Sequence, residues 1–174
     1  MIPRPQPDEY AGFFAGYVAQ IPPDADIIAL LRNQADTLRA LVAHLPDEQA
    51  SQRPAPGEWS VKEVIGHIND TERIFAYRAL RIARGDSTPL PGFEQDAYVE
   101  ATNFNARALA NLVDEFDAQR RANVLCFEPL GEAELTRRGT ASNNPVSARA
   151  LLYIMAGHVA HHIYSLRTDY GVGG

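Results

Sequence analysis

Residues 57–67 read Gly57-Glu58-Trp59-Ser60-Val61-Lys62-Glu63-Val64-Ile65-Gly66-His67. Ser60 and Glu63 form a capping box, in which each side chain can satisfy the other residue's orphan backbone N–H at a helix start. Val61, Val64, Ile65, Ile68, Phe75, Ala79 and Ile82 then recur at helical spacing as one apolar stripe, and Gly85 supplies a stop. A long amphipathic helix that must bury one face against other helices follows from this stretch alone. His67 lies about a quarter-turn from the centre of that stripe, at its border.

Three further helical patterns flank it. After Pro22-Pro23-Asp24, the residues Ile27, Leu30, Leu31, Leu38, Leu41 and Leu45 repeat helically until Pro46. Another pattern is expected from near Asn103, with Leu109, Leu112, Val113 and Phe116 inward. The last follows Asn144-Pro145, with Asn144 as cap and Pro145 at the first helical position, and carries Leu151, Leu152, Met155, Val159, Ile163 and Leu166. Few segments alternate with period two. The expectation is an all-α four-helix bundle occupying residues 1–174 as a single domain. An N-terminal segment, residues 1–23, would pack Tyr10, Phe13, Phe14 and Tyr17 on its outside. The connection from Gly85 to Asp96 is long for a bundle, as loops that cover a site often are.

Composition limits the function. A net charge of −6 with no basic stripe argues against nucleic-acid binding. The lone Cys126 permits no internal disulfide and reads as a small packing residue in a reducing compartment. No segment has the apolar length of a membrane span or a signal peptide, so a cytoplasmic protein is expected. The Asn69-Asp70-Thr71 sequon is discounted on that ground.

Histidines supply the candidate chemistry. His158 and His162 are four residues apart, so both imidazoles leave one helix face at the edge of the apolar stripe, whereas His161 faces away. A third imidazole from another helix would complete a facial metal site with a position left for water. Spacing alone leaves open that each is a border histidine satisfied by a hydrogen bond, and it cannot place His67 beside the pair. Glu63, one turn before His67, could reach a metal or its water, although the capping box already accounts for it. Asp70 and Thr71, one turn after, could orient an imidazole or merely face solvent. Glu72 falls on the apolar side and reads as the internal partner of an arginine. No residue stands out as a catalytic base.

The 57–67 stretch resembles the second-helix motif of the DinB-like, YfiT-like superfamily, and His158-Val159-Ala160-His161-His162 is similar to its closing histidine motif. The likeness runs over about residues 24–168. It implies a four-helix bundle in which His67, His158 and His162 hold a divalent metal, with His161 outside the ligand set. Zinc suits such ligands best, and nickel, iron and manganese are also accommodated. Members of that superfamily are described as metal-dependent hydrolases, and others as thiol transferases or a thiol-dependent isomerase. The resemblance therefore implies a small-molecule substrate attacked by metal-activated water or by a low-molecular-weight thiol. The arginine-glycine pair common after the family's final histidine is replaced here by Ile163-Tyr164, so substrate contacts beyond the ligands do not carry over. The alternatives are a non-catalytic metal or small-ligand binding bundle, and a structural bundle that binds no metal. A homodimer through an exposed apolar strip is a further expectation.

Overall fold

The computed structural model describes Met1–Gly173. Its elements run α1 (Ala15–Ala19), α2 (Ile27–Val42), α3 (Asp47–Ala50), α4 (Val61–Ala83), α5 (Gln95–Ala101), α6 (Leu109–Phe127), α7 (Glu132–Leu135), β1 (Arg138–Ala141), β2 (Asn144–Ser147) and α8 (Ala148–Thr168). Single 3-10 turns lie at Pro7–Glu9, Gly12–Phe14 and Phe104–Ala106. The four long helices α2, α4, α6 and α8 form the bundle. Around its axis α4 packs on α6 and α8, and α2 packs on the same two. Consecutive helices α2 and α4 therefore sit on one diagonal, and α6 and α8 on the other. Each diagonal step needs a long connection, which is where α3, α7 and the hairpin are found.

The capping box forms as expected. Ser60 Oγ accepts from Glu63 N at 3.1 Å, and Glu63 Oε2 accepts from Ser60 N at 2.7 Å. All seven stripe residues of α4 are buried, the six larger ones each contributing roughly 1.5–3 kcal/mol through removal of apolar surface from water. Gly85, at φ +82°, takes the left-handed position that ends the helix. The α6 helix begins at Leu109 rather than near Asn103, where a separate 3-10 turn intervenes. Its start borrows a cap from elsewhere, since Asp47 Oδ1 accepts from Leu109 N at 3.0 Å.

One boundary differs in kind. Asn144 and Pro145 do not open the last helix but lie in β2, paired with Ala141 and Thr140 of β1. Ser142 and Asn143, at φ 50° and 62°, form the two-residue turn that matches the twist of a hairpin. Pro145 sits opposite Thr140, outside the hydrogen-bonded pair that flanks the turn, so its missing N–H costs no ladder bond. The true cap of α8 is Ser147, whose hydroxyl accepts from Ala150 N.

The core divides into two apolar clusters along the bundle, with Phe75, Ile82, Leu151 and Ile154 in one and Ile65, Ile68, Phe116 and Val159 in the other. Polar side chains fill the interval. Arg120 is fully buried and pairs with Glu72 through Nε–Oε1 (2.9 Å) and Nη2–Oε2 (2.8 Å), while its Nη1 reaches Gln34 Oε1 at 2.7 Å. This pairing is the role expected of Glu72. Among the described residues no helix is long and apolar enough to cross a membrane.

Candidate metal centre

His67 of α4 and His158 and His162 of α8 meet across the contact between these two neighbouring helices. His67 Nε2 lies 2.9 Å from His158 Nε2, which lies 3.1 Å from His162 Nε2. Ligand nitrogens of the three all fall within 4.8 Å of one another, and no other such trio of histidine, cysteine or carboxylate exists among the described residues. Their surroundings are not the groove border expected: His67 and His158 are buried and only His162 is half-buried.

Burial drives the imidazoles toward neutrality. It pushes His67 down to about 4, against the opposing charge of Asp96, and His162 down to about 3, helped by His67 and His161. His158 is also held well below its ordinary value, first by burial and then by the neighbouring histidines. Three uncharged rings with converging nitrogens form an unusual cluster. An imidazole nitrogen carries one in-plane hydrogen or one lone pair, so His158 Nε2 cannot satisfy both neighbours by hydrogen bonding. A cation accepting all three lone pairs resolves the conflict. Tetrahedral ligation at ordinary zinc–nitrogen distances would separate the nitrogens by roughly 3.3 Å, within a few tenths of the two spacings from His158, 2.9 and 3.1 Å. The residues fit a divalent metal.

Thr71, one turn beyond His67, is buried with Oγ1 3.4 Å from His67 Nδ1. A hydroxyl at that distance could accept from Nδ1–H and leave the Nε2 lone pair facing inward, the orienting role considered for Thr71. Asp70 is half-buried, and burial raises its carboxyl above the usual range, with Arg73, Glu115 and Arg107 as its charged neighbours rather than the histidines. Glu63 is engaged elsewhere: its carboxylate takes Arg53 in a two-pronged contact as well as the Ser60 N–H. His161 stays outside the trio, its ring 5.1 Å from that of His162.

Walls of the centre come from segments whose roles spacing could not show. Trp59 lies 4.9 Å from the His67 ring, and Phe75 and Tyr17 meet His158 edge-on at 5.9 and 5.5 Å. The N-terminal segment thus does more than cover the outside of the bundle. Helix α1 is seated against α8 because Gly157 has no side chain: a Cβ there would lie 2.1 Å from the Tyr17 carbonyl oxygen. A cavity of about 420 Å³ opens beside His158, bordered by Thr71, Tyr17, Phe75 and Arg78, and by Asp96 in the first turn of α5. A larger one of about 480 Å³, near Met1 and Arg149, touches none of the histidines. Asp96 and Arg78 are polar residues of this cavity for which helical spacing carries no signal.

Comparison with known proteins bears on the family and the fold. The family described as the DinB superfamily matches residues 30–166. A protein of Geobacillus thermodenitrificans named "Putative metal-dependent hydrolase" is 26% identical over 149 residues, 83% of this chain and 84% of that one. Two Mycobacterium tuberculosis proteins are 50% identical over 48 residues, 27% of this chain, which therefore aligns with only 18% of their length. Among solved structures, YfiT from Bacillus subtilis, described as a "probable metal-dependent hydrolase with an unusual four-helix bundle topology", superposes with a TM-score of 0.76 at 15% identity, covering 87% of this chain and 93% of that one. The mycothiol-dependent maleylpyruvate isomerase gives 0.67 at 12% identity, covering 86% and 62%. At such identities these two likenesses establish the fold.

Proposed function

From the premise that this chain belongs to the DinB superfamily, we propose that it is a metal-dependent hydrolase or thiol (S-)transferase acting on a small molecule. The observation that carries the proposal is the convergence of three neutral imidazoles, His67, His158 and His162, beside a cavity. In this reading residues 1–174 act as one domain, whose N-terminal segment forms a wall of the site. When bound, a divalent ion, zinc first among those that imidazole accepts, would supply Lewis acidity that lowers the pKa of a water or thiol.

The protein's own groups do the rest. Thr71 holds His67 in the ligating tautomer. Tyr17, Phe75 and Trp59 keep bulk water from the imidazoles, which strengthens charge interactions inside. Asp96 borders the cavity, is exposed to solvent and is close enough for its charge to be felt at His67. We assign it the proton-handling role at its carboxylate oxygens. The likeness to the mycothiol-dependent isomerase is what supports the thiol arm of the proposal.

The test is turnover of protein loaded separately with zinc, nickel, iron or manganese, using a panel of esters and amides with and without a low-molecular-weight thiol. Turnover is expected to need the metal and to vanish in His158→Ala. Asp96→Asn should lower it by roughly 10²–10⁴-fold at unchanged metal content. Activity without thiol identifies a hydrolase, and activity only with thiol a transferase. A folded, loaded protein inert toward every substrate would instead be a non-catalytic binding protein.

A further inference from the structure

Two arginines are buried in this bundle, and they are not alike. Arg120 is matched by Glu72, but Arg78, only 3% exposed, forms no ion pair with any described residue. Its hydrogen bonds leave from Nη2 alone, to the Pro91 carbonyl at 2.7 Å and to Ser142 Oγ at 3.0 Å. Nε and Nη1 donate to nothing in the protein. Every side-chain polar atom sealed from solvent among the described residues has a partner, so solvent reaches these two donors. The guanidinium lies near the Phe75 and Phe93 rings, 6.0 and 5.8 Å from their centres, and borders the cavity that also touches His158.

A buried cation without an anion is costly, and arginine does not escape by losing its proton. An anion reaching Nε and Nη1 would replace solvent there and complete the ion pair. We propose that Arg78 is the anion-binding residue of this cavity, and that the site's small-molecule ligand carries a carboxylate held by Arg78, with the Ser142 hydroxyl beside it. The assignment deepens the metal-site reading by naming its substrate class and rests on that reading for its place in the reaction, though the charge argument does not use the metal.

A carboxylate fits better than a phosphate. Among the described residues Arg78 is the only cationic side chain around the cavity, while Glu94 and Asp96 stand exposed at its rim and would repel a dianion. The volume of about 420 Å³ suits a small acid. Ser142 reaches the wall because the β1–β2 turn holds it at φ 50°, a conformation uncommon for a residue other than glycine. Burial pushes the guanidinium below its ordinary value with no carboxylate to oppose it, consistent with an incomplete ion pair.

The experiment compares benzoate with benzamide, alike in shape and different in charge, by calorimetry on zinc-loaded and on chelator-treated protein. Benzoate should bind about tenfold or more tightly than benzamide in both states, as a charge-assisted hydrogen bond implies. In Arg78→Gln that ratio should fall to near one, with benzamide affinity and zinc uptake unchanged. Arg78→Lys, which keeps the charge, should retain part of the preference and serves if the glutamine variant does not fold. Equal binding of the two probes to the wild type, no benzoate binding at millimolar concentration, or a preference that survives Arg78→Gln would overturn the assignment. A benzoate preference in a protein that takes up no zinc would uphold Arg78 and sink the metal site. Zinc uptake without the preference would do the reverse.

Discussion

Replacing Gly157 by alanine sets two known effects against each other at the seam between α1 and α8. Alanine is favoured over glycine in a helix interior by about 1 kcal/mol, so at an open position the change would stabilise. At Gly157 the new Cβ would lie 2.1 Å from the Tyr17 carbonyl oxygen and 2.5 Å from its carbonyl carbon. Ordinary carbon–oxygen contact needs roughly another ångström, and the obstacle is helical backbone that cannot rotate away. Overpacking of this kind costs about 1–3 kcal/mol, and the backbone obstacle places it at the upper end. The net effect is a loss of about 2 kcal/mol, or some 4–8 °C in Tm for a chain of this size. Gly16, in α1 itself, has nothing within 4 Å of its would-be Cβ. Gly16→Ala should therefore raise Tm slightly. Thermal unfolding followed by circular dichroism reads both variants. Should Gly157→Ala melt above the wild type, α1 is not seated as described, and neither is the Tyr17 wall beside His158.

Other expectations concern the polar interior. Glu72→Ala strands the Arg120 charge and should cost about 3–5 kcal/mol in urea unfolding, whereas Arg32→Ala, which breaks an exposed pair with Glu128, should cost less than about 1 kcal/mol. Equal losses would refute the distinction. For Glu9, burial would raise the carboxyl, but hydrogen bonds from Arg149, Ser147 and the Gln6 N–H outweigh it and hold the group at about 2 instead of 4.5. A depressed carboxyl stabilises above its unfolded value and loses that contribution as pH falls. At most about 3 kcal/mol should therefore disappear between pH 4.5 and 2, and the loss should be absent in Glu9→Gln. Denaturant midpoints measured across that window check it.

Why some features were legible and others were not follows from how far each signal reaches along the chain. The capping box at Ser60 and Glu63 is a three-residue contact, and the stripe of α4 is set by the helix's own period, so both could be read directly. The four-residue step from His158 to His162 is equally local. The approach of His67 to that pair spans 91 positions and depends on α4 and α8 being neighbours, which periodicity does not specify. Only the family resemblance pointed to it. Asn144-Pro145 reads two ways, because asparagine before proline suits a helix cap and also the rim of a hairpin. Ser142-Asn143, adopting the turn, decided between them. Arg78 sits on a helix otherwise read for its apolar side, and Asp96 lies just past a loop without periodicity. Neither has a local signal of its role. Tyr17 packs, as its aromatic cluster suggests, but what it packs against is a histidine of the centre.

The central claim is that the three histidines bind a metal, and elemental analysis of protein purified without a metal-affinity tag tests it most directly. The account predicts about one equivalent of divalent ion, with zinc foremost, in the native protein or after incubation. That ion should be absent from a His158→Ala/His162→Ala variant that still folds. Metal-free native protein that takes up no ion, or a folded double variant that keeps its full complement, would contradict it.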